Sequence, residues 1–181
     1  MGITAIEDKL QNEVAETIRL LKEFGMQFFI LTGDKRQTAI NIARACGMIG
    51  ENTKVIKIPD YDEEKKDEFF AEWSKLKKEA TGDVVYTLDA SKKFPPELPL
   101  HQTICYRCIP NQKEEFVRYV KESVPYLTLA IGDGANDKNM ITQADVGVAV
   151  KGKEGSEAAR VSDYVVGEFK LLSLLTLYYG R

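Results

Sequence analysis

Hydrophobic and polar positions along the chain switch repeatedly between helical and extended spacing. Val14, Ile18, Leu21 and Phe24 fall on one helical face, with Asn12 as the expected N-cap, Glu13 and Glu16 in the first turn and Gly25 as the stop. Met26–Leu31, largely apolar with two phenylalanines, has the character of a strand buried on both faces. Gln37–Cys46 reads as a helix closed by Gly47, and Lys54–Ile58 as a short strand closed by Pro59. In 62–80, Phe69, Trp73, Leu76 and Ala80 recur at helical spacing, which predicts an amphipathic helix whose charges, dense over Asp62–Glu68, face solvent. Val84–Leu88 is a strand, and 91–102, with Pro95, Pro96 and Pro99, is the one long loop and the expected flexible segment.

From there the alternation quickens. Thr103–Arg107, Tyr126–Ile131, Val146–Val150 and Tyr164–Val166 read as strands, and Glu114–Glu122, Asp137–Ala144, Ser156–Val161 and Glu168–Tyr179 as the segments between and after them. Strands separated by single helices predict an α/β fold, a parallel sheet with helices on both faces, in one domain over residues 1–181. A ligand is then expected beyond the carboxyl ends of the strands.

Composition narrows the function classes. Hydrophobic residues at 44% and charged residues at 29% describe a folded globule. Lys and Arg number 25 against 28 Asp and Glu, a net charge of −3, so no nucleic-acid partner is expected. The apolar stretch Leu171–Tyr179 is too short to cross a bilayer, and no secretory signal precedes the charged opening Ile3–Leu10. The 3 cysteines read as reduced thiols. His101 stands alone, which rules out schemes that need two histidines.

Candidate chemistry sits at strand ends. Thr32-Gly33-Asp34 follows the strand 26–31 and offers a hydroxyl and a glycine amide just before a helix, a natural anion site, although a plain capped turn has the same look. Gly132-Asp133-Gly134-Ala135-Asn136-Asp137 follows 126–131 and brings two carboxylates and an amide within a few residues, donors suited to a hard cation such as Mg²⁺. It is neither a dinucleotide fingerprint, since Asp137 takes the third glycine position, nor a P-loop; Gly152-Lys153-Glu154 is only an echo of one. In Arg107-Cys108-Ile109-Pro110-Asn111-Gln112-Lys113, Pro110 is expected to end a strand and Lys113 to stand in a first helical turn, where a lysine screens a phosphoryl group or simply faces solvent. Cys105 and Cys108 have C-x-x-C spacing, but on a strand they would point to opposite faces, so they read as packing thiols.

These three elements, in this order, resemble the haloacid dehalogenase superfamily, and more closely the phosphorylation domain of P-type ATPases, which carry TGD, P-x-x-K and GDGxND. Gly132–Met140 is a specific match; the opening Ala5–Gln11, TGDKRQTA at Thr32–Ala39, Asp163-Tyr164 and Gly180-Arg181 are similar to the type IV, phospholipid-transporting (flippase) subfamily. The resemblance spares only about 50–102, which reads as a variable insertion carrying the 62–80 helix and the Pro-rich loop. It implies a Rossmann-like sheet and an ATP-driven phospholipid translocase that forms an aspartyl phosphate. It further implies Mg²⁺ as cofactor, held by Asp133 with Asp137, and phosphoryl oxygens held by Thr32 and Gly33. Asp34 and Arg107 would face the nucleotide, with Lys113 neutralising the phosphoryl group and Asn136 donating to it. The partners so implied are ATP, met together with a nucleotide-binding domain that the string lacks, phospholipid, met through a membrane domain it also lacks, and an accessory β subunit of the full-length flippase, at the cytosolic face of a membrane.

The family's nucleophile, the aspartate of DKTGT, is absent from the string, as Asp8-Lys9-Leu10-Gln11 belongs to the opening motif. The chain thus reads as the C-terminal part of a phosphorylation domain, inactive alone, whose missing central strand would lie between those ending at Leu31 and Ile131. Its exposed edges are expected to pair directly or to be covered by self-association. A free-standing phosphatase is the alternative; Asp60 and Asp62 form a D-x-D, but Glu64 stands where that motif has threonine. A flippase-like regulatory module fused to another enzyme is the third.

Overall fold

The computed structural model describes residues 10–152 and 157–180. Most of the opening motif, Lys153-Glu154, Ser156 and Arg181 lie outside them. Along the chain run α1 (Val14–Glu23), β1 (Phe29–Leu31), α2 (Arg36–Ala45), β2 (Lys54–Lys57), α3 (Lys66–Glu79), β3 (Val84–Asp89), β4 (Thr103–Tyr106) and α4 (Pro110–Ser123). They are followed by β5 (Leu129–Gly132), α5 (Lys138–Gln143), β6 (Val146–Val150), β7 (Tyr164–Val166) and α6 (Leu171–Leu177). Every pairing is parallel, so the α/β class is as expected. The strands form two sheets, β1-β4-β3-β2 and β5-β6-β7.

Side-chain alternation in the first sheet feeds two cores. Val84, Tyr86, Leu88 and Cys105 pack with Phe69 and Trp73 of α3 and Phe116 and Val120 of α4. Val85, Ile104 and Tyr106 face the other way, onto Val14 and Ile18 of α1 and Ala39, Ile40 and Ala43 of α2. In the second sheet Ala130 and Ala149 meet Met140 and Ile141 of α5, while Val148 and Val166 meet Leu21 of α1 and Leu172 of α6. Thus α1 serves both sheets.

Several expected boundaries move. Asn12 does not cap α1; Glu13 stands at that position with φ 62°, and the Thr17 hydroxyl donates to its carbonyl at 2.7 Å. Gly25 and Gly47 do close α1 and α2: each has positive φ, and paired bonds (Gly25 N to Lys22 O, Met26 N to Leu21 O; Gly47 N to Arg44 O, Met48 N to Ala43 O) satisfy the last carbonyls. Pro110 begins α4 instead of ending β4, because its fixed φ and missing N–H suit a first helical position. The first strand is 29–31 and only half buried, and the fifth starts at Leu129, with Tyr126 and Leu127 exposed. The loop 91–102 is pinned by buried Leu98, whose N–H donates to the Tyr119 hydroxyl at 2.9 Å.

Those two short strands face a common opening. The inner edges of β1 and β5 do not pair with one another. Between them lies an apolar cleft of about 490 Å³, lined by Phe28, Phe29 and Leu31 on one side and Leu129, Ala130 and Ile131 on the other. The expected direct closure therefore does not occur. Both are short edge strands, each paired on one side only and incompletely buried.

Candidate functional site

Parallel strands deliver their carboxyl ends to one rim, and all the sequence-derived candidates sit there or in the helix beside it. The first turn continues β1: Thr32 N donates to Cys105 O at 3.0 Å. The chain then folds back, with the Asp34 amide donating to Thr32 Oγ1 at 3.1 Å and Thr32 Oγ1 within 3.0 Å of Asp34 Oδ2. A hydroxyl two residues from the amide it receives is a local turn device, and it aims the Gly33 segment outward.

At β5 the chain is more crowded. After Gly132 a short helical turn, 135–137, begins with Asp137 N donating to Gly134 O at 3.1 Å. This lays Asp137 back over the strand end; a Cβ on Gly132 would stand 2.5 Å from Asp137 Cβ and 2.6 Å from its Oδ2. The carboxylate thereby returns beside the residue that precedes Asp133. Lys113, near the start of α4, reaches it with Nζ to Oδ1 at 2.7 Å, and both side chains are only 12% exposed. Asp133 and Asn136 stay exposed. The start of α4 is held by Gln112, whose Oε1 accepts from Ile109 N at 3.0 Å and whose amide donates to Ala90 O.

The segment that leads from β4 into α4 carries a bulge against the first turn. Since Thr32 N bonds to Cys105 O, an uninterrupted ladder would have the Thr32 carbonyl accept from Arg107; it accepts from Cys108 instead, at 2.9 Å. Arg107, with φ 58°, is the extra residue, and its N–H turns to Asp34 O at 2.9 Å. The inserted residue reverses the side-chain parity, so Cys108 joins Cys105 in one core cluster instead of facing away from it. The neighbouring Cys105 thiol, with the Lys113 charge, lowers the Cys108 pKa against the effect of burial, while burial pushes Cys105 well up.

Arg107 also has a partner that sequence reasoning missed. Its Nη1 lies 3.1 Å from Asp89 Oδ2, at the end of β3. Asp89 is buried, which works against its charge, yet the hydroxyl and amide of Ser91 and the nearby guanidinium hold its pKa below the ordinary carboxylate value. The signal was a lone acid closing an all-buried strand. Asp60 and Asp62, the D-x-D of the phosphatase alternative, have structural duties: Asp60 pairs with Lys57 at 2.9 Å, and Asp62 accepts from Glu64 N at 3.1 Å.

The rim thus joins Thr32, Asp34 and Arg107 through hydrogen bonds, with Gly33 between the first two, and Lys113 and Asp137 through an ion pair; Cys108, which donates to Thr32 O, leads into the helix that carries Lys113. Among the described residues no set of three His, Cys, Asp or Glu gathers as a metal cage. Asp133, exposed at the end of β5, and Asp137, laid back over the same strand end, supply carboxylate oxygens, the donor type Mg²⁺ takes from a protein when phosphate and water supply the rest. The residues therefore fit that ion.

Comparison with known proteins agrees with this picture. The family model described as haloacid dehalogenase-like hydrolase matches residues 1–145. Similar proteins include Phospholipid-transporting ATPase 2 of Arabidopsis thaliana, 41% identical over 100% of this chain and 18% of its own length. Phospholipid-transporting ATPase tat-1 of Caenorhabditis elegans is 40% identical over 99% of this chain and 17% of its own. Phospholipid-transporting ATPase DRS2 of Saccharomyces cerevisiae is 38% identical over 99% of this chain and 15% of its own. The chain spans less than a fifth of the length of each of these relatives.

Proposed function

The chain belongs to the haloacid dehalogenase-like hydrolases, and from that premise we propose that it is the phosphoryl- and magnesium-binding part of an ATP-driven phospholipid translocase that works through an aspartyl phosphate. The observation that carries the proposal is the Lys113–Asp137 pair, each side chain 12% exposed, at the end of β5; Leu31 and Ile131 line the cleft from opposite sides, and Thr32-Gly33 and Gly132-Asp133 follow them in the chain. Similarity to phospholipid-transporting ATPases over the whole chain supports the substrate class.

In this reading Thr32 turns its hydroxyl from Asp34 to a phosphoryl oxygen, and the Gly33 amide donates to another. The Lys113 ammonium faces the same group, with Asn136 donating beside it. Asp133 and Asp137 hold Mg²⁺, which when bound adds positive charge against the phosphoryl oxygens. Asp34 and Arg107 meet the nucleotide. Phosphoryl transfer asks for such positioning and charge neutralisation more than for covalent chemistry by the protein.

The nucleophilic aspartate comes, in this proposal, at the end of a further parallel strand that seats in the apolar cleft between β1 and β5. Two unpaired parallel edges with apolar lining, both ending at the rim, are what such a strand requires. The unit then works as one domain at the cytosolic face of a membrane, with 50–102 as its variable elaboration. Phospholipid and an accessory β subunit are met by other parts of the translocase. No helix of the described residues is long and apolar enough to cross a membrane.

Substituting Asp133→Asn in the full-length protein is expected to lower Mg²⁺-dependent phosphoenzyme formation from labelled ATP by at least about a hundredfold, the scale on which charge stabilisation of a transferring group acts. Unchanged phosphoenzyme across a Mg²⁺ titration would overturn the assignment.

A further inference from the structure

Asp89 closes β3 beside Arg107 on the rim, and no motif includes it. Its exposure is 7%, whereas the Arg107 side chain is 51% exposed, so the acid is the fixed partner and the guanidinium is the group presented to solvent. One carboxylate oxygen, Oδ1, is taken by the Ser91 hydroxyl at 2.6 Å and the Ser91 amide at 3.0 Å. The other, Oδ2, receives Arg107 Nη1 at 3.1 Å. Among the described residues this is the guanidinium's one hydrogen bond, which leaves most of its five N–H donors for a ligand. The same side chain is restrained at its root by the left-handed backbone and the N–H bond to Asp34 O, and its Cζ lies 6.0 Å from the Tyr106 ring centre.

We propose that Asp89 is a positioning residue that holds the Arg107 guanidinium ready for the phosphate groups of a nucleotide. This rests on the nucleotide reading of the rim given above. An arginine ordered only on binding forfeits up to about tenfold in affinity, because its rotamers must then be frozen by the ligand. A buried carboxylate already carrying two bonds from Ser91 removes that loss in advance. The sign of the effect separates positioning from simple charge: a negative group near the site repels phosphate, so its removal through electrostatics alone would tighten binding.

The test is an NMR titration of the 181-residue chain with ATP and Mg²⁺, using wild type, Asp89→Asn, Arg107→Gln and the double variant. Asp89→Asn and Arg107→Gln are each expected to weaken binding by about tenfold. If Asp89 acts through Arg107, the double variant loses the same tenfold and not the product of two, which a general structural defect would give. Ser91→Ala, a change at the exposed side of the cluster, is expected to weaken binding about threefold while keeping the fold, and it serves if Asp89→Asn does not fold. Affinity unchanged or raised in Asp89→Asn, or in Ser91→Ala when that variant stands in for it, would overturn the proposal while leaving the nucleotide reading in place. A wild-type chain that shows no shifts with ATP, at concentrations to several millimolar, would overturn both.

Discussion

Gly132 carries a constraint that its neighbours do not. A Cβ there would overlap Asp137 at 2.5 Å, so either the strand end or the acid must move. Gly132→Ala is expected to destabilise the chain by about 1–3 kcal/mol in urea denaturation and to break the Lys113–Asp137 pair. A second residue reports on pH. The Asp145 carboxyl is held down at about 2, first by Lys121 and then by the Thr128 amide and hydroxyl. A carboxylate depressed in the folded state stabilises it fully above the unfolded value near 3.8, and that contribution vanishes as pH falls through about 2. The melting temperature should therefore drop between about pH 4 and pH 2, and less steeply in Asp145→Asn. Residues of this kind are partly legible in sequence: Gly132 and Asp137 belong to a string whose types suggest their chemistry, while Asp89 has no local pattern and gains its meaning from Arg107, 18 residues away.

Among the elements, those with a strong local period were legible. Phe69 and Trp73 on α3 lie buried, and Gly25 and Gly47 close their helices, because face and stop signals act within a few residues. Pro110 misleads because the same ring that breaks a strand also opens a helix. The Arg107 bulge had no glycine to announce it, and its parity change is what unites Cys105 and Cys108. The loop 91–102 looked flexible from its prolines, but its anchorage depends on a contact across 21 residues, Leu98 to Tyr119. Tyr119→Phe removes that acceptor from a buried amide. The expected result is a loss of about 1 kcal/mol and faster hydrogen exchange at Leu98 and its neighbours.

For the whole molecule the governing feature is the division of a parallel α/β body into two sheets with an apolar cleft between them. The parallel order followed from the alternation of strands and helices. The division did not, since strand adjacency is decided by packing and not by chain order. The most direct test of the proposed function pairs the chain with a synthetic strand of apolar residues ending in Asp-Lys-Thr-Gly-Thr, in the presence of Mg²⁺ and labelled acetyl phosphate. Acid-stable, hydroxylamine-sensitive label is expected on the peptide's aspartate in the mixture and nowhere on the chain alone. Label on an aspartate within the 181 residues themselves would contradict the account and make the chain a self-contained phosphatase.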